Sequence, residues 1–258
     1  MERGMDHWLL IFSTLLAAAG AFWGILSVRQ GKRSRWTVIW MAGTFLLQLG
    51  FLTVRGQDRA ACPLRDTGEI LVYLSWSLTL FYLLIGPAYR ISLLGVFSAP
   101  LVVIFQSTAL FPGVLAVSPE RVANTSPWGE THSAVSVLSY GAFALAAVAG
   151  TMFLVLDHQL KAHQMAGGLF RNLPPIRELL TSLGRLLWLG LGLLTIGIIA
   201  GLLMPRNGSM AHLIAAIAVW FAYAILLLVR AKRGLSGRSL SLFTVAVFVL
   251  SLAVFALI

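Results

Sequence analysis

Residues 132–156 read HSAVSVLSYGAFALAAVAGTMFLVL. These 25 residues contain no Asp, Glu, Lys or Arg. About 20 predominantly apolar residues are enough for a helix to cross the hydrocarbon core of a bilayer. The same pattern recurs on both sides of this stretch. The sequence predicts eight spans, at about 8–28, 36–54, 68–87, 92–111, 132–156, 179–204, 212–229 and 239–258. The two longest connections are about 112–131 and 157–178. The predicted fold class is therefore all-α, a polytopic integral membrane protein with eight transmembrane helices forming a single membrane domain over residues 1–258. Long continuous runs, rather than short alternating strands, exclude a β-barrel.

The composition of the whole chain agrees. Of its residues, 59% are hydrophobic and 11% charged, with mean hydropathy +0.88. A soluble domain is roughly a quarter charged, so soluble globular, disordered and disulfide-rich secreted classes are excluded. Cys62 is the single cysteine; there is no intrachain disulfide, no CxxC redox pair and no CxxCH attachment motif. Asp6-His7-Trp8 opens the first apolar run with no basic region before it, while Arg29, Lys32, Arg33 and Arg35 follow it. This reads as a retained first span rather than a signal peptide.

The net charge of +10 does not imply nucleic acid, because no basic stretch has the length or the interleaved aromatics of a nucleic-acid arm. Basic residues flank spans and orient them. The connections after spans one, three, five and seven hold twelve of the 19 Lys and Arg, including all three lysines (Lys32, Lys161 and Lys232). The N-terminus and the other connections hold six, and Arg185 lies just inside span six. The richer set is expected in the cytoplasm, with both termini facing outward into a periplasm or its equivalent. Seven of the nine acids, including Glu69 and Glu130, then fall on the outer side.

Small residues at four-residue spacing, Ala142, Ala146 and Gly150 in span five and Gly197 and Gly201 in span six, predict close helix–helix packing. Trp8, Trp128 and Trp36 are expected at the interfaces, and Trp23, Trp40, Trp76, Trp188 and Trp220 deeper, mostly as core filler. No hydrolase or nucleotide-binding motif is present, and no span has a central acid or base of the kind that marks ion pathways. No catalysis is expected.

The chemistry rests on five histidines: His7, His132, His158, His163 and His212. His158 and His163 belong to the basic connection after span five, where solvated side chains are the ordinary reading. His7, His132 and His212 fall at outer ends of spans. His132 opens span five and His212 span seven, so the two are expected at similar depth on one membrane face. Two imidazoles on different helices can clamp one metal-bearing cofactor from opposite sides; interfacial histidines without a ligand are the alternative. Ser136, Ser139 and Tyr140 follow His132 at helical spacing on its face, either satisfying backbone carbonyls or lining a groove.

Three stretches carry a resemblance. RGQDRAACPLRDTGEILVYLSW (55–76) has an arginine, a Pro-x-x-Asn-x-x-Glu-like turn and a Ser-Trp, here Arg55, Pro63, Asp66 (in place of asparagine), Glu69, Ser75 and Trp76. THSAVSVLSYGAF (131–143) places an outer histidine before a Ser-Tyr pair, here His132, Ser139 and Tyr140. LPPIRELL (173–180) and WFAYAILLLVRAKRGLSGR (220–238) supply an inner loop and a Trp-x-x-Tyr helix ending in a basic Gly-x-x-Gly-Arg turn. Over about residues 50–240 the chain resembles the cytochrome c assembly protein family, the CcsA/ResC-like haem-handling membrane proteins, and most closely their shorter HemX/YpjD-type branch.

The resemblance implies a haem-binding or haem-handling protein of cytochrome c biogenesis in a bacterial inner membrane. The implied cofactor is a b-type haem with His132 as a ligand and His212 or His7 as the second, and Trp128, Ser136, Tyr140 and Trp76 as pocket walls. Arg55 and Glu69, at the same face, would orient a propionate or each other; a helix-start role for Glu69 is the plainer alternative. The implied partners are membrane lipid and other cytochrome c assembly or haem-metabolism proteins. The chain also departs from full-length family members. Its outer loop before the Trp220 helix, MPRNGSMAH, lacks tryptophan, and Leu228 and Ala61 stand where family histidines occur. A reduced site is therefore expected rather than two bis-histidine sites. Two alternatives remain: a regulatory or scaffold protein of haem metabolism with no bound cofactor, working through 157–178 and 230–238, and, third, a small-molecule permease.

Overall fold

The computed structural model describes residues 4–30, 36–59, 61–85, 92–116, 126–161, 176–204 and 211–253. Within them lie eight α-helices: α1 (Met5–Arg29), α2 (Trp36–Arg59), α3 (Thr67–Ile85), α4 (Ser92–Ala109), α5 (Pro127–Lys161), α6 (Ile176–Leu202), α7 (Ala211–Arg233) and α8 (Gly237–Ser251). Each predicted span corresponds to one helix. Six are long and apolar enough to cross a membrane, while α4 and α8 are shorter apolar helices. The chain is a polytopic membrane protein. Lys32, Arg33, Arg35, Arg90, Arg121, His163, Leu173, Pro174, Pro175 and Arg206 lie outside the described residues, as does the end of the eighth predicted span beyond residue 253.

Helices α1 to α4 pack on one another, and α5 to α8 form a second group. The two groups join through α5, which packs on α6 and α8 in its own group and on α3 and α4 in the other. In α5, 83% of the most apolar 18-residue stretch is buried, against 28% to 61% in the other five long helices. Its sequence explains this central place. Gly141 meets α3 so closely that an added Cβ would lie 2.8 Å from the Ser77 carbonyl carbon and 3.1 Å from the Leu78 nitrogen. Gly150 lies near the backbone of α8, where an added Cβ would be 3.2 Å from the Ser241 carbonyl oxygen. The small residues of span five thus bring backbones together, as the spacing predicts.

The outward faces are apolar. Trp8, Trp36 and Trp128 are exposed, as expected of an interfacial belt. Trp23 and Trp188 are exposed too, which corrects their reading as core filler. In lipid an outward tryptophan carries no hydrophobic penalty, so burial does not follow from hydropathy. Most buried hydroxyls bond the carbonyl one turn back, for example Ser77 to Tyr73 and Thr79 to Ser75, each at 2.8 Å. This satisfies a polar group without a second helix.

Candidate functional site

α5 begins with a built cap. Pro127 is its first residue, a position where the missing N–H costs nothing, and Gly129 N–H donates to Ser126 Oγ at 3.1 Å. This start places His132 one turn into the helix. His132 and Ser136 then lie four residues apart on one face, opposite Gly197 and Gly201 of α6. A Cβ on Gly201 would lie 2.7 Å from His132 Nδ1, and one on Gly197 would run into Ser136 Oγ. The two glycines form a notch that seats the histidine.

The notch also fixes the imidazole. His132 Nδ1 is 2.7 Å from the Gly197 carbonyl oxygen. A carbonyl only accepts, so Nδ1 carries the proton and, in the neutral ring, Nε2 keeps its lone pair. His132 is buried. His212, the second residue of α7, packs edge-on to it, with ring centroids 5.7 Å apart and planes at 88°. His212 Nδ1 and Ser136 Oγ are buried and have no hydrogen-bond partner among the described residues. Ser139 differs: its hydroxyl donates to the Ser136 carbonyl at 2.6 Å. The polar stripe therefore divides, Ser139 satisfying backbone and Ser136 facing the notch.

Below the histidines the seam turns aromatic. Tyr140 is buried and meets Phe143 edge-on at 6.3 Å, and Phe143 stacks on Tyr223 of α7 at 3.7 Å. Gly190 makes room for Phe143, a Cβ there lying 2.5 Å from the ring. Of the residues singled out from sequence, His132, His212, Ser136 and Tyr140 share this α5–α6–α7 seam. Trp128 stands one turn before His132, half-exposed at the mouth. Trp76 is elsewhere, stacked on Phe45 of α2 at 5.5 Å. The neighbouring Ser77 and Leu78 carry the α3 face that meets α5, which turns Trp76 away. His7 and His158 are exposed, on α1 and at the far end of α5. The structure thus brings His212, not His7, to His132.

A second polar cluster closes the same end of the α1–α4 group. Arg59 pairs with Asp66 at 2.6 Å and with Glu69 at 2.9 Å; Arg55 lies 3.4 Å from Asp6 and 3.6 Å from Glu69. Arg55 also donates to the Leu115 carbonyl at 2.7 Å. All five side chains are buried or nearly so. Arg55 and Glu69 do face each other, and Glu69 is an ion-pair partner rather than only a helix-start charge. Cys62 lies beside this cluster, its N–H donating to Glu130 at 3.4 Å. Burial, then the Glu130 and Glu69 carboxylates, push its thiol up from the ordinary range.

Sequence reasoning did not single out the Gly197 carbonyl, the seating of His132 by Gly201, or the Arg59–Asp66 pair. Gly197 and Gly201 were visible as packing residues; that they meet His132 depends on the register between α5 and α6. Among the described residues no group of three or more His, Cys, Asp or Glu is arranged to hold a metal ion, so the two imidazoles are the donors at the seam.

Residues 66–257 match the model of the family described as Cytochrome C assembly protein. Similar relatives include the Cytochrome c biogenesis protein CcsA of Gloeobacter violaceus, 25% identical over 88% of this chain and 84% of the relative. The CcsA of Synechococcus sp. (strain CC9605) is 26% identical over 87% of this chain and 82% of the relative. That of Synechococcus sp. (strain CC9311) is 26% identical over 92% and 88%.

Proposed function

Because the chain belongs to the cytochrome c assembly protein family, we propose that it works in cytochrome c biogenesis by binding haem at the α5–α6–α7 seam. The observation that carries this reading is the His132–His212 pair, two imidazoles in contact at a shared helix end, with His132 held through Nδ1 so that Nε2 is not the bonded nitrogen, and with His212 Nδ1 buried without a partner among the described residues. The residues fit a haem iron: His132 offers Nε2, and His212 offers a buried Nδ1. Bound there, haem would be held by His132 and His212 and would supply an iron that changes oxidation state.

The protein's own part is positioning. The Gly197 carbonyl holds the His132 proton on Nδ1, which orients the ring and presents Nε2. Gly201 leaves the space the ring needs. Tyr140, Phe143 and Tyr223 wall the seam with aromatic surface, and Trp128 stands at its mouth. In this reading the site holds and hands over cargo. The excess of Lys and Arg in alternate connections supports an orientation with the histidine end outward, both termini on the outer face of a plasma membrane. Partner assembly proteins would then meet the cargo at that face.

The test is the absorption spectrum of the detergent-purified protein, oxidised and reduced, beside His132→Ala and His212→Ala. The expected result is a stoichiometric b-type spectrum, lost in His132→Ala and lost or shifted in His212→Ala. A colourless protein that takes up no added haem overturns the haem reading and leaves a regulatory or scaffold role in haem metabolism.

A further inference from the structure

The opposite end of the α5–α8 group holds a cation that the histidine seam does not use. Arg230 lies three residues before the end of α7. A basic side chain there ordinarily extends toward water. This one crosses to α6. Its NH2 group donates to the Leu180 carbonyl at 3.3 Å, and its guanidinium lies against Gly184, where a Cβ would be 2.7 Å from Cζ. Leu180 and Gly184 are four and eight residues into α6, about 6 and 12 Å along the helix from its start. The charge thus sits alongside the helix, not at its tip.

Among the described residues no carboxylate compensates it. Glu178 is exposed in the first turn of α6 without an ion pair, and Asp157 of α5 is taken by Lys161 at 2.8 Å. Of the five N–H donors of the guanidinium, one is used among the described residues. Around this end Arg177, Lys232, Arg233 and Arg238 are exposed. Leu180 also adjoins the start of α8, its Cδ1 lying 2.9 Å from a Cβ placed on Gly237. Directly beyond Gly184 on the same face of α6 stands Trp188, 61% exposed.

We propose that this α6–α7 groove binds the phosphodiester of an anionic phospholipid, with Arg230 as its principal contact. Guanidinium donates two parallel hydrogen bonds to phosphate, and basic pockets between transmembrane helices suit anionic headgroups. The exposed indole of Trp188, one turn beyond the seat, favours a lipid over free phosphate, because it offers an acyl chain a wall. Gly184 is the residue that gives the guanidinium its seat.

Native mass spectrometry of the full chain, loaded with phosphatidylglycerol or phosphatidylcholine, tests this. The wild type is expected to retain phosphatidylglycerol preferentially. Arg230→Gln should weaken retention about tenfold or more, Arg230→Lys by less, and Lys232→Gln by no more than about twofold. Gly184→Ala keeps every charge but fills the seat, and is expected to lose the preference as well. It therefore separates the groove from general surface charge if Arg230→Gln fails to fold. Equal losses in Arg230→Gln and Lys232→Gln, or an unchanged preference in Gly184→Ala, overturn the proposal. Displacement of the lipid by millimolar inorganic phosphate overturns the lipid assignment and leaves a phosphate site. This experiment is independent of haem, so its failure and that of the histidine reading are distinguishable.

Discussion

Single atoms decide what His132 can do. With its proton held on Nδ1 by the Gly197 carbonyl, the ring presents one nitrogen only, and the space for that ring is the missing side chain of Gly201. Gly201→Val should displace the imidazole. The expected outcome is a protein that still folds, with its haem spectrum lost or its bands shifted as in His132→Ala, while Gly192→Ala, where a Cβ meets nothing within 4 Å, leaves the spectrum unchanged. Cys62 allows a second check. Only the thiolate reacts with iodoacetamide, and its raised pKa lowers the thiolate fraction at any pH below it. Alkylation at neutral pH should therefore be several-fold slower in the native protein than after denaturation in detergent, and should rise with pH beyond the range of an ordinary thiol. A native rate equal to the denatured one would show that the carboxylates and burial do not act on it. The histidine was legible because its type and position stand out in an apolar chain. The Gly197 carbonyl was not, because every residue has one, and only the register of two helices selects this one.

Helix crossings were legible as small-residue spacings but not as pairings. Ala142, Ala146 and Gly150 marked α5 as a close-packing helix, yet the tightest crossing is at Gly141, where α3 and α5 meet backbone to backbone. Gly141→Leu has no room and should cost about 1–3 kcal/mol or more through overpacking. Gly192→Ala is expected to be neutral or to stabilise by about 0.5–1 kcal/mol. Thermal or denaturant unfolding in detergent, followed by circular dichroism, measures both, and equal midpoints would refute the crossing. The ion cluster of Asp6, Arg55, Arg59, Asp66 and Glu69 was half legible: Arg55 and Glu69 were placed at one face from the motif. Arg59 and Asp66 stayed hidden, since long side chains at helix ends pair by reach rather than by spacing. Trp23 and Trp188 were misread because hydropathy does not separate a core from a lipid face.

At the scale of the whole molecule, eight apolar helices were readable from composition and run length alone, while the division into two groups about α5 was not, because it depends on which faces meet. Orientation is testable directly. In a Cys62→Ser background, Gly4→Cys is expected to react with a membrane-impermeant maleimide in intact cells. Ala231→Cys should react only after lysis, and the reverse pattern would invert the assignment of the histidine end. The burial of α5 from both sides has a further consequence, for synthesis. A ribosome delivers α3 before α5, so the Gly141 crossing is available as soon as α5 emerges. The α6 notch comes next, and His212 last of the three. The imidazole pair is complete only when translation has passed residue 212, and a chain stopped earlier carries His132 without its neighbour. Cargo that needs both rings would accordingly load only onto chains in which α7 has been made.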